Sequence, residues 1–287
     1  MCLPKRNNKG TDMDRIKYAL GLVLAKLFPK KADEIRKNFT IPNYHWTNLK
    51  VPIVDRLIRF YLGYKIKKQE GKISDELESI HRNFWSNADT YFANTKNRTE
   101  EVHIPAHKDI VQRLIPLLVD KNIQSVYEFG TGDGRWLNYL SQQWTVVKKF
   151  IGIDISERQV EDNNRTYGHL TFVRSDLIEW TEKNATHNTL YHTCGGVLEY
   201  LSEESVKRLI KILRNQAKDS IIFFIEPLYG NYDINKDIAS EIIGQEYSYT
   251  HNYIHLLESA GFEIISHDEK EVGYLGRMLI VLAYNKG

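Results

Sequence analysis

From about residue 105 onward the chain alternates short apolar runs with amphipathic helical stretches, and no other feature limits its fold so sharply. Runs at 125–129, 150–155, 170–174, 189–193 and 221–225 have strand length and are rich in β-branched and aromatic residues. Helical patterns stand among them: Ile110, Val111, Leu114, Leu117 and Leu118 before the first run, with Pro116 as a kink, then stretches from Arg135 and from Ser156, and Val206, Leu209, Ile210 and Leu213 after Ser202. Parallel neighbours need long crossovers, so such alternation builds a mostly parallel sheet with helices on both faces. The end breaks the rhythm. A helix over 253–260, stopped by Gly261, leads into runs at 262–266 and 278–284 that only a loop separates, so these two pair antiparallel. The expected fold class is α/β: a seven-stranded, mostly parallel sheet with its last strand antiparallel, plus a helical N-terminal extension.

That extension has its own helical spacings. Leu20, Val23, Leu24 and Leu27 precede Pro29; Ile53, Leu57, Ile58, Tyr61 and Leu62 repeat the pattern. A third helix starts at the N-cap Ser74, with Asp75 and Glu76 on its first turn, and aligns Leu77, Ile80, Phe84, Ala88 and Tyr91. Residues 94–101 read as a polar linker, giving an N-terminal region over 1–104 and a second domain over 105–287.

Charge divides along the same line. The net charge is +2, yet residues 1–72 hold 17 Lys or Arg against 6 Asp or Glu, leaving the remainder at −9. A basic appendage on an acidic domain suits an anionic partner: a phosphate-bearing substrate, a membrane surface met peripherally, or nucleic acid. The alternative is a solvated face on ordinary helices. The apolar run at 18–25 is far shorter than the roughly 20 residues of a membrane span, so no span is expected. Two distant cysteines, Cys2 and Cys194, make neither a disulfide framework nor a zinc site, which fits a reducing, cytoplasmic setting.

The segment Glu128-Phe129-Gly130-Thr131-Gly132-Asp133-Gly134 joins the first strand to the following helix. A strand, glycine turn and helix put backbone N–H groups and a positive helix end beside a polar ligand. The dinucleotide fingerprint G-x-G-x-x-G/A fails here, because its third small position is Arg135.

With Glu128 ahead of Gly130, Gly132 and Gly134, the chain resembles the class I S-adenosylmethionine (SAM)-dependent methyltransferases, whose first motif has an acidic residue followed by G-x-G-x-G. Ile151-Gly152-Ile153-Asp154-Ile155 is similar to the strand whose closing carboxylate takes the ribose hydroxyls. Phe172-Val173-Arg174-Ser175-Asp176-Leu177 looks like the adenine-side motif, and Thr193-Cys194-Gly195-Gly196-Val197-Leu198-Glu199-Tyr200 like the fourth motif of small-molecule enzymes, with Gly195 by the methionine part. The resemblance spans roughly 105–285. It implies SAM as cofactor, S-adenosylhomocysteine as product, and cofactor residues Glu128, Gly130, Thr131, Gly132, Gly134, Asp154, Ile155, Asp176, Leu177 and Gly195. Taken singly, Asp154 and Asp176 also read as helix N-caps, and Cys194 as a buried strand residue.

Methyl transfer from a sulfonium depends mostly on alignment, while a hydroxyl acceptor profits from a general base. His251 is the candidate base, because its stretch follows the fifth strand on the side where parallel sheets gather ligands. Glu226 and Tyr229, and Trp85 and Tyr91 on the third helix, are candidate acceptor contacts. The DNA amino-methylating motif is missing after the fourth strand, no proline precedes Cys194, and no Asp closes that strand to hold a metal. The expectation is O-methylation of a small molecule or glycan, such as a phosphate-bearing sugar intermediate. The rivals are a nucleic-acid-directed enzyme and a SAM-binding protein without turnover.

Overall fold

The computed structural model describes residues 12–37, 51–68, 74–88, 97–243 and 248–287. The chain divides into two compact units, residues 1–84 with 245–247, and 85–244 with 248–287. The division falls ahead of the expected one after residue 104, because the turn over 99–103 continues into a helix of the second unit.

In the first unit, α1 (Asp12–Leu27) packs on α3 (Ile53–Lys68), with α2 (Pro29–Lys37) beside them and α4 (Ser74–Trp85) following. Gly21 sets the approach: a Cβ there would lie 2.2 Å from the Leu57 carbonyl oxygen. Tyr18 packs its ring 5.3 Å from that of Tyr61, and Lys31 reaches Asp55 at 3.1 Å. The sequence spacing grouped Leu20, Val23, Leu24 and Leu27, but Leu20, Val23 and Leu27 face outward and are exposed.

The second unit includes a π-helical turn, Thr99–His103, running into α5 (Ile104–Asp120), which continues through Pro116. There follow β1 (Ser125–Phe129), α6 (Arg135–Gln143), β2 (Lys149–Asp154), α7 (Glu157–Thr166), β3 (Thr171–Arg174), α8 (Leu177–Asn184) and β4 (Thr189–Cys194). A 3₁₀ turn (Leu198–Tyr200), α9 (Glu203–Gln216), β5 (Ser220–Pro227), a small antiparallel pair β6 (Glu241–Ile242) and β7 (Tyr249–Thr250), α10 (Tyr253–Ser259), β8 (Glu263–Glu271) and β9 (Arg277–Asn285) complete it. Ser156, Asp176 and Ser202 cap α7, α8 and α9 through their side chains, satisfying first-turn N–H groups.

The sheet has seven strands in the order β3-β2-β1-β4-β5-β9-β8, parallel from β3 to β5, with β9 antiparallel to both its neighbours. Strand alternation sends Tyr127, Phe129, Tyr191, Ile222 and Phe224 to one face, under α8, α9 and α10. Val126, Leu190, Ile221, Phe223 and Ile225 go to the other, under α5, α6 and α7. β1 lies between β2 and β4, so the chain leaves it in one direction and returns on its far side. Such a reversal opens a crevice at the carboxyl ends of the strands.

Candidate active site

Gly130, Gly132 and Gly134 all have left-handed backbones, with φ of 65°, 53° and 72°. Alternate left-handed residues fold the chain back on itself between β1 and α6, a conformation that costs side-chain-bearing residues energy. The loop is tied down from beneath. Ile153 O accepts from Gly130 N at 2.8 Å and from Thr131 N at 3.2 Å; Thr131 Oγ1 donates to Glu128 Oε2 at 2.8 Å; Gly132 O accepts from Asn163 Nδ2 at 2.7 Å. Asp154 closes β2 and accepts from Gly132 N through Oδ2 at 2.8 Å and from Ser156 N through Oδ1 at 2.9 Å. Burial pushes the Glu128 carboxyl up to about 8 and the Asp154 carboxyl to about 6.

The next two strand ends continue the line. Asp176 accepts from Ile178 N at 2.9 Å and Glu179 N at 3.1 Å, so its carboxylate caps α8, with Leu177 half-buried beside it. Beyond β4, Gly195 and Gly196 are left-handed, with φ of 83° and 99°. Gly130, Gly132, Ile155, Asp176, Leu177 and Gly195 are partly or fully exposed along the ends of β1 to β4, while Glu128, Thr131, Gly134 and Asp154 lie buried under them. The sequence-predicted cofactor set thus forms one ledge on four adjacent strands.

A nucleoside suits this ledge. Glycine at 130 lets the loop close on the turn after β4: a Cβ there would stand 2.6 Å from Val197 Cγ2. The Asp154 carboxylate accepts from the backbone N–H groups of Gly132, Ser156 and Ile155, which holds it at the end of β2, where two oxygens could take ribose hydroxyls. Among the described residues no group of His, Cys, Asp and Glu is arranged to hold a metal ion.

The acceptor-side expectations fare differently. His251 is fully buried, its Nδ1 paired with Ser240 Oγ at 2.6 Å and its Nε2 with Leu201 O at 3.1 Å; burial lowers its pKa to about 4. Both ring nitrogens are hydrogen-bonded inside the protein, where the side chain braces the Ser240 and Leu201 loops. Glu226 is also fully buried and accepts from Val197 N at 3.0 Å and Leu198 N at 3.2 Å, so it caps the 3₁₀ turn. Tyr229 is half-buried, its backbone N–H donating to Thr250 Oγ1. Trp85 is half-buried with its ring 5.1 Å from that of Tyr200. Tyr91 lies outside the described residues.

His103, which the sequence reading did not single out, packs against the β4 turn. It closes the π-helical turn, and a Cβ on Gly195 would come within 2.6 Å of its Cε1. Its Nδ1 lies 3.6 Å from Cys194 Sγ, a thiol that burial keeps protonated; an S–H donating into Nδ1 leaves the ring proton on Nε2. The rings of His107 and Trp136 pack behind it. The π turn is what brings His103 onto the β4 turn, and a π turn leaves no periodic trace in a sequence.

Residues 126–219 match the family model of a methyltransferase domain. No curated protein matches the chain by sequence. Among solved structures, the chain is similar to the 1,6-didemethyltoxoflavin-N1-methyltransferase of Burkholderia thailandensis, at 13% identity and a TM-score of 0.53 over 75% of this chain and 91% of that one. It is also similar to the magnesium protoporphyrin IX methyltransferase of Synechocystis PCC 6803, at 17% identity and 0.50 over 72% and 97%. Identities this low speak for the fold alone. Residues 126–219 thus match a methyltransferase domain, and the order and direction of the seven strands are consistent with the class I, Rossmann-like methyltransferase fold.

Proposed function

We propose that this protein transfers a methyl group from SAM to a small-molecule or glycan acceptor. The observation that carries the reading is the ledge itself: a left-handed glycine loop, the Asp154 carboxylate, the Asp176–Leu177 corner and the Gly195 turn stand in order on four neighbouring strand ends, all within the family match. Both similar structures were solved with SAM or S-adenosylhomocysteine bound, which supports the same donor here.

Asp154 would hold the ribose hydroxyls, Asp176 and Leu177 the adenine edge, and Gly130, Gly132 and Gly195 leave room for the methionine portion. When bound, the donor supplies an electrophilic methyl on a sulfonium. The chain's own part is alignment and exclusion of water, which together supply much of such a rate. His103, whose ring lies against Gly195, would be a candidate to orient an acceptor, with Nε2–H as the donor when Nδ1 accepts from Cys194. Burial lowers its pKa to about 3, so the ring is neutral at physiological pH.

The sugar-hydroxyl preference rested on the basic N-terminal region as a reader of phosphate beside a sugar ring, with His251 as the candidate base; both ring nitrogens of His251 are hydrogen-bonded within the protein. An acceptor already deprotonated near neutral pH, such as a weakly basic amine or an acidic hydroxyl, would need no general base from the protein.

Thermal shift with S-adenosylhomocysteine, against NADH as control, tests the donor. Ligand at 100 times its dissociation constant adds about 2.7 kcal/mol of stability. Asp154→Ala is expected to abolish the shift; an unchanged shift in that variant, or one produced by NADH alone, overturns the reading. Release of S-adenosylhomocysteine in a screen of amines, phenols and nucleotide sugars tests turnover. Binding without release against any of them would favour a SAM-binding protein that lacks transfer activity.

A further inference from the structure

The outer face of α1 carries large apolar side chains that stand exposed among the described residues. Met13, Ile16, Leu20, Val23 and Leu27 recur at spacings of three and four, so at 3.6 residues per turn they fall within an arc of about 80°. They are 59, 55, 50, 53 and 66% exposed, and Phe28 just beyond them is 49% exposed. Scattered exposed leucines are ordinary, but a continuous stripe along one helix marks a surface that meets something apolar. The opposite face of α1 is already used, since Tyr18 and Gly21 pack on α3. At sixteen residues the helix is too short to cross a bilayer, but about 24 Å of it can lie along one.

Charge decides the partner. Arg15 and Lys26 flank the stripe on one side, both exposed, and exposed Lys30 follows. Residues 1–72 carry a net +11. A second copy pairing through this face would bring two such segments together, a like-charge cost that opposes symmetric association. Nucleic acid would answer the charge but not the apolar stripe. An anionic lipid surface answers both: apolar side chains enter the acyl boundary while lysines and arginines meet phosphate headgroups.

We propose that α1 docks this protein onto anionic phospholipid membranes, lying flat in the interface with Met13, Ile16, Leu20, Val23 and Leu27 inserted. The inference does not depend on the methyl-transfer reading.

Sedimentation of the full chain with vesicles tests it. Phosphatidylcholine vesicles containing phosphatidylglycerol are expected to carry the protein down, and pure phosphatidylcholine vesicles to carry down much less. Leu20→Ser with Val23→Ser weakens binding at least about tenfold, because two inserted apolar side chains are lost. Lys26→Gln with Lys30→Gln weakens it about fivefold per charge, and added salt weakens the parent. All four positions are exposed, so far-UV circular dichroism stays unchanged. Absent binding to the anionic vesicles, or equal binding by the serine variant, overturns the proposal. So does a parent dimer that the serine substitutions convert to monomer, which would assign the face to a second copy.

Discussion

Gly130 shows how little room the glycine loop has. Its φ of 65° is costly for a side-chain-bearing residue, and a Cβ would stand 2.6 Å from one Val197 methyl and 2.9 Å from the other. Gly130→Ala is expected to cost about 1–3 kcal/mol in denaturant melts. Val197→Ala in the same chain should recover part of that loss by removing the clash; recovery of nothing would mean that backbone strain is the whole cost. His103 meets a similar test. His103→Ala removes the donor beside Gly195 and is expected to raise KM for the acceptor about tenfold, roughly the worth of one hydrogen bond. S-adenosylhomocysteine binding should persist, and His103→Gln, which keeps a donor, should restore much of the affinity. Equal KM in the parent and His103→Ala would remove His103 from the acceptor side.

At the scale of elements, the 3₁₀ turn after β4 depends on a carboxylate from β5. Glu226 accepts from the N–H groups of Val197 and Leu198 while fully buried, and burial pushes its carboxyl up to about 7. Removing it leaves buried donors without an acceptor, at about 1–3 kcal/mol each. Glu226→Ala should therefore melt earlier, and it should also loosen the Gly195–Val197 turn that forms part of the ledge. Weaker S-adenosylhomocysteine binding, measured calorimetrically, would show that coupling; parental stability would contradict the capping role. The small pair β6–β7 works in the same way through His251, whose two hydrogen bonds fasten Ser240 to the Leu201 loop.

For the whole molecule, buried titratable groups set the pH response. Burial raises Glu128 to about 8, Glu226 to about 7 and Asp154 to about 6. It lowers His103 and His192 to about 3, and His107 and His251 to about 4. A carboxyl with a raised pKa keeps its proton when folded after the unfolded chain has released it. Its contribution is full below the ordinary value of 4.5 for Glu and is lost as pH rises through the folded value. A depressed histidine refuses a proton that the unfolded chain accepts, so its stability is lost as pH falls below the ordinary 6.5. Below that point the four histidines outweigh the three carboxyls; above it only the carboxyls act. Stability of the cofactor-free protein should therefore peak near pH 6.5 and decline toward pH 8. Glu128→Gln should flatten the alkaline side, and a parent still gaining stability up to pH 8 would contradict the assignment.

Local pattern determined a great deal. The alternating runs from residue 105 gave the strands, the reversed last strand and the helices starting near Ser156 and Ser202, because hydrophobic period acts over a few residues. The glycine loop and the carboxylates Glu128, Asp154 and Asp176 were legible for the same reason: backbone handedness and strand ends are written in neighbouring residues. The helix α8 and the pair β6–β7 were not, being short and lacking a clear period. What only the tertiary structure decided was which polar side chains are spoken for. His251 and Glu226 are consumed by loops distant in sequence, His103 is brought to the β4 turn from ninety-one residues upstream of Cys194, and the α1 stripe is left facing out because Gly21 turned the other face inward. Partners of that kind depend on how separate elements pack, and no local spacing records them.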